Sequence, residues 1–192
     1  MIELTVVISI LLILFAGAMF ELQPALQGER ANASLREVLE EMRTARELAI
    51  AQRRWVAITF PVVVHAGVTE NEVQVVIKNS LTTGAGGDQA LLAVPIERPI
   101  KYYVYPAPVT DTPDGFGNAS AIDFGGVANG PVGGMMFDSD GELVNGTNYL
   151  PINGSVFLGT AGQANSVRAV TVLGTSGRVR GWIWTGAAWN QF

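Results

Sequence analysis

The chain has 192 residues, 48% hydrophobic and 15% charged, with a formal net charge of −5. That length suits one ordinary domain plus an appendage, and the acidic balance argues against nucleic acid, whose phosphates are held by neutralising Lys and Arg. With no cysteine and one histidine, His65, disulfide and cysteine–zinc frameworks are excluded and few routes to metal or general-base chemistry are left.

The first element is MIELTVVISILLILFAGAMF, strongly apolar with Glu3 almost at its start. A secretory signal peptide opens on basic residues, and none precedes Glu21. A transmembrane helix suits the run from about Thr5 to Phe20 better, since about 20 apolar residues span the hydrocarbon core. The plainer alternative is a simple membrane anchor with Glu3 near the interface. A carboxylate deeper in such a segment is expensive and normally has a partner and a task.

From Glu21 to Arg54 helix formers dominate. Leu35, Val38, Leu39, Met42, Ala45, Leu48 and Ala49 recur at three- and four-residue steps, which predicts one apolar stripe against a sheet. Glu40 and Arg43 make a favourable pair on the remainder, whereas Glu37 and Glu41 repel. Pro24 removes a helical hydrogen bond and Gly28 weakens the same region, so a kink or a melted stretch is expected around 20–30. An unbroken helix of about 50 residues would run about 75 Å, far more than one globular body covers.

The rest reads as short strands: 55–64, with Pro61 marking an edge or bulge, then 72–78, 91–94, 100–105, 133–137, 155–158, 169–173 and 178–184. Gly/Thr-rich 80–89 reads as a turn and 106–118 as a long loop. One helix followed by many strands predicts an α+β class: a long N-terminal helix, transmembrane or filament-core and kinked near Pro24, packed on an antiparallel sheet or sandwich head. The segments are 1–30 (apolar transmembrane or filament-core helix), 31–54 (its amphipathic continuation, packed on the head) and 55–192 (the β-rich head).

MIELTVVISILLIL resembles the mature N-terminus of type IV pilins and type II secretion pseudopilins, in which a peptidase cuts after a glycine and the acid sits at the fifth mature position. Glu3 matches that acid, so about two mature residues and a short leader are expected upstream of Met1. TARELAIAQRRWVAITF, MMFDSDGEL and AVTVLGTSGRVRGWIWTGAAW resemble the helix end and first strand, the hairpin and the C-terminal strands of GspH/FimT-type pseudopilins; about 67–130 carries no such likeness. The resemblance implies a filament subunit held in the bacterial inner membrane by a single pass, then assembled into a periplasmic pseudopilus or an extracellular pilus. Its implied partners are further copies or other pilins, a prepilin peptidase and an assembly platform. Glu3 would face the terminal amine of a neighbouring subunit, and Ile2, Leu4, Val6, Val7, Ile10, Leu11, Ile13, Leu14 and Phe15 would pack between helices.

Other residues invite chemistry. Asp138, Asp140 and Glu142 are spaced like the start of a calcium loop, but the later bidentate acid falls on Tyr149, and Asp140-Gly141 is a hairpin signal in its own right. Asp111 and Asp114 beside Pro113 read as turn residues. Arg178 and Arg180, with Arg168 nearby, form a Gly-Arg-Val-Arg turn that resembles a DNA-uptake motif of some pseudopilins; a minor tip adaptor touching DNA or a secreted substrate is the alternative function, and pairing with acids is the plainer role. Trp182 and Trp184 share a strand face with Trp189 and Phe192 beyond them, suiting sheet or subunit packing more than a stacking platform. His65 has no second ligand in the local sequence. Four Asn-x-Ser/Thr triplets, at Asn32, Asn118, Asn145 and Asn153, matter only in a glycosylating host. No nucleophile, base and orienter come together, so neither an enzyme nor a cofactor is expected.

Overall fold

The computed structural model describes residues 2–79, 87–130 and 133–192, and within the N-terminal helix the side chains of 3–4, 6–16 and 25–52. Helix α1 runs Ile2–Gln52. It is followed by β1 Val56–Thr59, β2 Val62–His65, β3 Val68–Ile77, β4 Gln89–Pro95, β5 Lys101–Tyr102, β6 Ile122–Asp123, β7 Met135–Phe137, β8 Leu143–Asn145, β9 Gly154–Gly159, β10 Arg168–Leu173, β11 Arg178–Trp184 and β12 Trp189–Gln191. The strands make two six-stranded antiparallel sheets. One is ordered β2-β3-β1-β7-β8 with β4 on β3; the other is ordered β12-β11-β10-β9-β5 with β6 on β9.

The expected fold class is corrected by these observations. No helix among the described residues is long and apolar enough to cross a membrane. Among the described side chains the apolar run extends only from Leu4 to Ala16, fewer than the roughly 20 apolar residues that a span requires. The architecture is a β-rich body of two antiparallel sheets against which the helical segment of about 25–52 packs; it is not a membrane-spanning rod carrying a sheet head. The expected single-pass place in the inner membrane is overturned by the same finding. Of the kink or melted stretch expected around 20–30, Gly28 lies within α1, and the kink at Pro24 falls outside the described residues. The side chains of Ile2 and Pro24, and most of the expected 80–89 turn, lie outside the described residues.

The core lies where the helix meets both sheets. Leu35, Val38, Leu39, Met42, Ala45 and Ala49 are buried, and Leu48 packs half-buried beside them. They join Val56, Ile58, Val73, Val75, Phe137 and Leu143 of the first sheet with Val156, Leu158, Val170 and Val172 of the second. The close seat of the helix depends on Gly181 in β11: a Cβ there would stand 2.7 Å from Leu39 Cδ1 and 3.2 Å from the Phe192 Cβ. Pro61 interrupts the first predicted strand and divides β1 from β2, as a residue without an N–H to give the ladder should. On the outer face of the first sheet Ala57, Val76, Met136 and Val144 form a smaller cluster under Trp55.

Candidate functional site

The N-terminal part of α1 is the largest unpartnered apolar surface among the described residues. Leu4, Val6, Val7, Ile8, Ile10, Leu11, Leu12, Ile13, Leu14 and Phe15 are all between 47% and 73% exposed. At 100° per residue, consecutive positions from Ile10 to Phe15 surround the helix instead of lining one face, so no single docking surface of the same chain can cover them. Glu3 is exposed in the first turn, without an ion-pair partner among the described residues. Ile8 and Leu12 belong to this surface as much as the residues singled out by the resemblance; the composition of the run already carried them.

The three arginines of the predicted contact patch are divided among different tasks. Arg168 on β10 is buried, at 4% exposure. Its Nε donates to Asn32 Oδ1 at 2.8 Å, its Nη1 to the Val167 and Asn165 carbonyls at 2.8 and 2.9 Å, and its Nη2 to the Gly28 carbonyl at 3.4 Å. It therefore ties helix to sheet and is no surface contact. Burial lowers its pKa, opposed by Glu29 and Tyr105. Arg180 is held by Asp114, Nη1 to Oδ1 at 2.7 Å. The other Asp114 oxygen accepts from Thr171 Oγ1 at 2.5 Å, and Thr171 in turn accepts from Trp182 Nε1 at 2.9 Å. Asp114 sits in the turn expected of it, closed by the Gly115 N–H donating to the Thr112 carbonyl at 2.9 Å, and its carboxylate also locks the long loop to the second sheet. Arg178 alone is exposed; it lines an open cleft of about 380 Å³ with Arg43, Arg46 and Glu47.

The Asp114–Arg180 bridge is testable on its own. In a double-mutant cycle of Asp114→Asn and Arg180→Met, urea unfolding is expected to show a coupling of about 1–2 kcal/mol, since both groups are part-buried and charge-assisted. Strictly additive losses would mean that the two side chains do not act together.

The remaining candidates take structural places. Asp138 Oδ1 accepts from the backbone N–H groups of Asp140 and Glu142 at 3.0 and 2.9 Å, so that oxygen closes the β7–β8 hairpin. Trp182 and Trp184 are buried. Trp189 packs on Trp184 and Phe157 with ring centroids 5.3 and 6.2 Å away and donates Nε1 to the Thr110 carbonyl at 2.9 Å, so these aromatics tie strands and loop together. Phe192 lies 5.5 Å below the Arg36 guanidinium, attaching the end of the chain to the helix. Burial raises the pKa of Glu37, helped by Glu97 and Glu41, and that of Glu41, helped by Glu40. Burial also raises Tyr102 and Tyr105 well above the usual phenol range. His65 does have a close neighbour that its local sequence did not announce: Glu72 Oε1 lies 2.8 Å from its Nε2.

No family model, curated protein or solved structure matches the chain.

Proposed function

We propose that this chain is a structural subunit of a filament of the type IV pilus or type II pseudopilus kind, polymerising through the N-terminal part of its helix. The observation that carries the reading is the band of exposed apolar side chains surrounding α1 from Leu4 to Phe15. A helix that is apolar on all sides is stable only inside a larger apolar assembly, and several copies of the same segment supply one. Seven such side chains, fully buried, contribute about 10–20 kcal/mol in gross transfer free energy, enough to exceed much of the about 4–15 kcal/mol that association costs. Glu3 then enters a low-dielectric bundle, where an unpaired carboxylate is costly and a cationic partner fixes the register more than it adds stability. The resemblance of MIELTVVISILLIL to pilin N-termini supports the same assignment. The tip-adaptor alternative draws less support, because Arg168 is buried and Arg180 is already paired.

Electron microscopy of assembled material tests the proposal. Leu11→Asp and Glu3→Ala are each expected to cut filament yield at least tenfold while leaving the thermal unfolding of the body unchanged. Normal fibres from both variants would remove the helix from the assembly contact. A single copy at a fibre tip, in place of many along its length, would favour the adaptor role.

A further inference from the structure

We propose that His65, Glu70 and Glu72 form a binding site for a divalent transition-metal cation of the zinc class. The hairpin that joins β2 to β3 turns on Ala66 and Gly67, both at positive φ (51° and 82°). Its register sets His65 opposite Val68 and Val63 opposite Glu70. Alternate residues share a sheet face, so His65, Glu70 and Glu72 all lie on one side of the hairpin. Their ligating atoms converge: one donor from each residue lies within 4.8 Å of the other two, and His65 Nε2 stands 2.8 Å from Glu72 Oε1.

The surroundings are those of a prepared site. The Glu72 side chain is 8% exposed and Glu70 22%, while His65 is 63% exposed, so the two acids form a sheltered floor and the imidazole is the outer ligand, free to adjust. Glu72 is oriented from both ends. Gln74 Nε2 donates to its Oε2 at 3.1 Å, leaving Oε1 directed to the cluster, and the Tyr102 hydroxyl donates to its backbone carbonyl at 2.9 Å. Metal-binding carboxylates are held by outer hydrogen bonds of this sort. Arg98, 3.5 Å from Glu70, offsets one of the two negative charges, and a bound cation compensates the other. Metal–ligand bonds of about 2.0–2.2 Å in a tetrahedron place neighbouring donors roughly 3.3–3.5 Å apart; closing the triangle asks only for rotation of the exposed imidazole and of Glu70. One imidazole and two carboxylates suit Zn²⁺, Co²⁺ or Ni²⁺, and a fourth position on the exposed side is left to solvent. Calcium needs six to eight oxygens, which these three residues do not provide.

The experiment titrates the untagged full-length chain with Co²⁺, read by visible absorption, and with Zn²⁺, read by calorimetry and by thermal unfolding. One equivalent should bind, with Co²⁺ giving the visible bands of a low-coordinate site and Zn²⁺ raising the unfolding temperature. His65→Ala and Glu70→Gln should each weaken binding at least tenfold and abolish the Zn²⁺-dependent stabilisation. Because His65 also pairs with the buried Glu72, each variant's own metal-free unfolding temperature is the reference from which its Zn²⁺-dependent shift is read, which separates loss of a ligand from loss of fold. Ca²⁺ should give no heat at the same concentrations. Unchanged affinity in His65→Ala, or no Co²⁺ spectrum with the wild type, overturns the assignment.

Discussion

Leu35→Ala is expected to destabilise the body by about 3–4 kcal/mol, read as a fall in the urea midpoint followed by far-ultraviolet circular dichroism. Leu35 is fully buried at the meeting of α1 with both sheets. Buried leucine truncations cost about 2–5 kcal/mol, and the figure rises when neighbours cannot close the void. Here they are poorly placed to do so, because the strand residue facing this part of the helix is Gly181, whose added Cβ would sit 3.6 Å from Leu35 Cδ1 and which has no side chain to swing into the space. Leu26→Ala, at a position 48% exposed on the same helix, should change stability by less than about 0.5 kcal/mol. A loss below about 1 kcal/mol for Leu35→Ala would mean that the helix segment is only loosely attached to the sheets.

The contrast between those two leucines marks what a sequence discloses. Leu35 belongs to a three-and-four spacing that continues to Ala49, and that local periodicity is enough to place a buried face. Likewise β9, β10 and β11, rich in Val, Leu, Phe and Trp and separated by Gly- and Asn-rich turns, are visible as strands before any partner is known. The very short β6, β8 and β12 are not, because two or three residues hold no period and are recruited by the edge that they pair with. The N-terminus departs from its reading: a run rich in Leu and Ile reads as a span, yet no helix among the described residues is long and apolar enough to cross a membrane. The site chemistry was hardest to see. His65 and Glu72 meet because a left-handed hairpin and its register bring them together, Asp114 and Arg180 because a long loop returns over the sheet, and Arg168 and Asn32 because helix and sheet dock. Each of these is a tertiary event, and the spacing of the residues along the chain carries no trace of it.

Arg168→Ala is expected to cost about 3–5 kcal/mol, the largest loss for any arginine of this chain. The guanidinium spends its donors on groups from the helix, the 3-10 turn Ala164–Ser166 and the start of β10. Removing it takes the donor from the Asn32 amide oxygen and the Asn165 carbonyl, while the Val167 carbonyl keeps its bond from the Trp184 N–H; each group left without a donor costs about 1–3 kcal/mol, and the guanidinium's own packing between helix and sheet is lost with it. Losses on breaking a buried charged cluster fall in the same range. Arg168→Lys should recover only part of the stability, since one ammonium cannot reproduce the planar fork that serves Asn32 and the carbonyls together. Arg178→Ala, at an exposed position on the adjoining strand, should shift the urea midpoint little. Hydrogen exchange supplies the local reading: amides around Gly28–Asn32 should lose protection in Arg168→Ala before the centre of β10 does, because the helix entry is what the guanidinium holds down. A residue kept for nucleic-acid contact would behave in the opposite way, leaving stability untouched and weakening a salt-sensitive complex. The arginine that the sequence groups with a surface motif therefore has its effect in the interior, and an unfolding curve indifferent to its removal would return it to the surface.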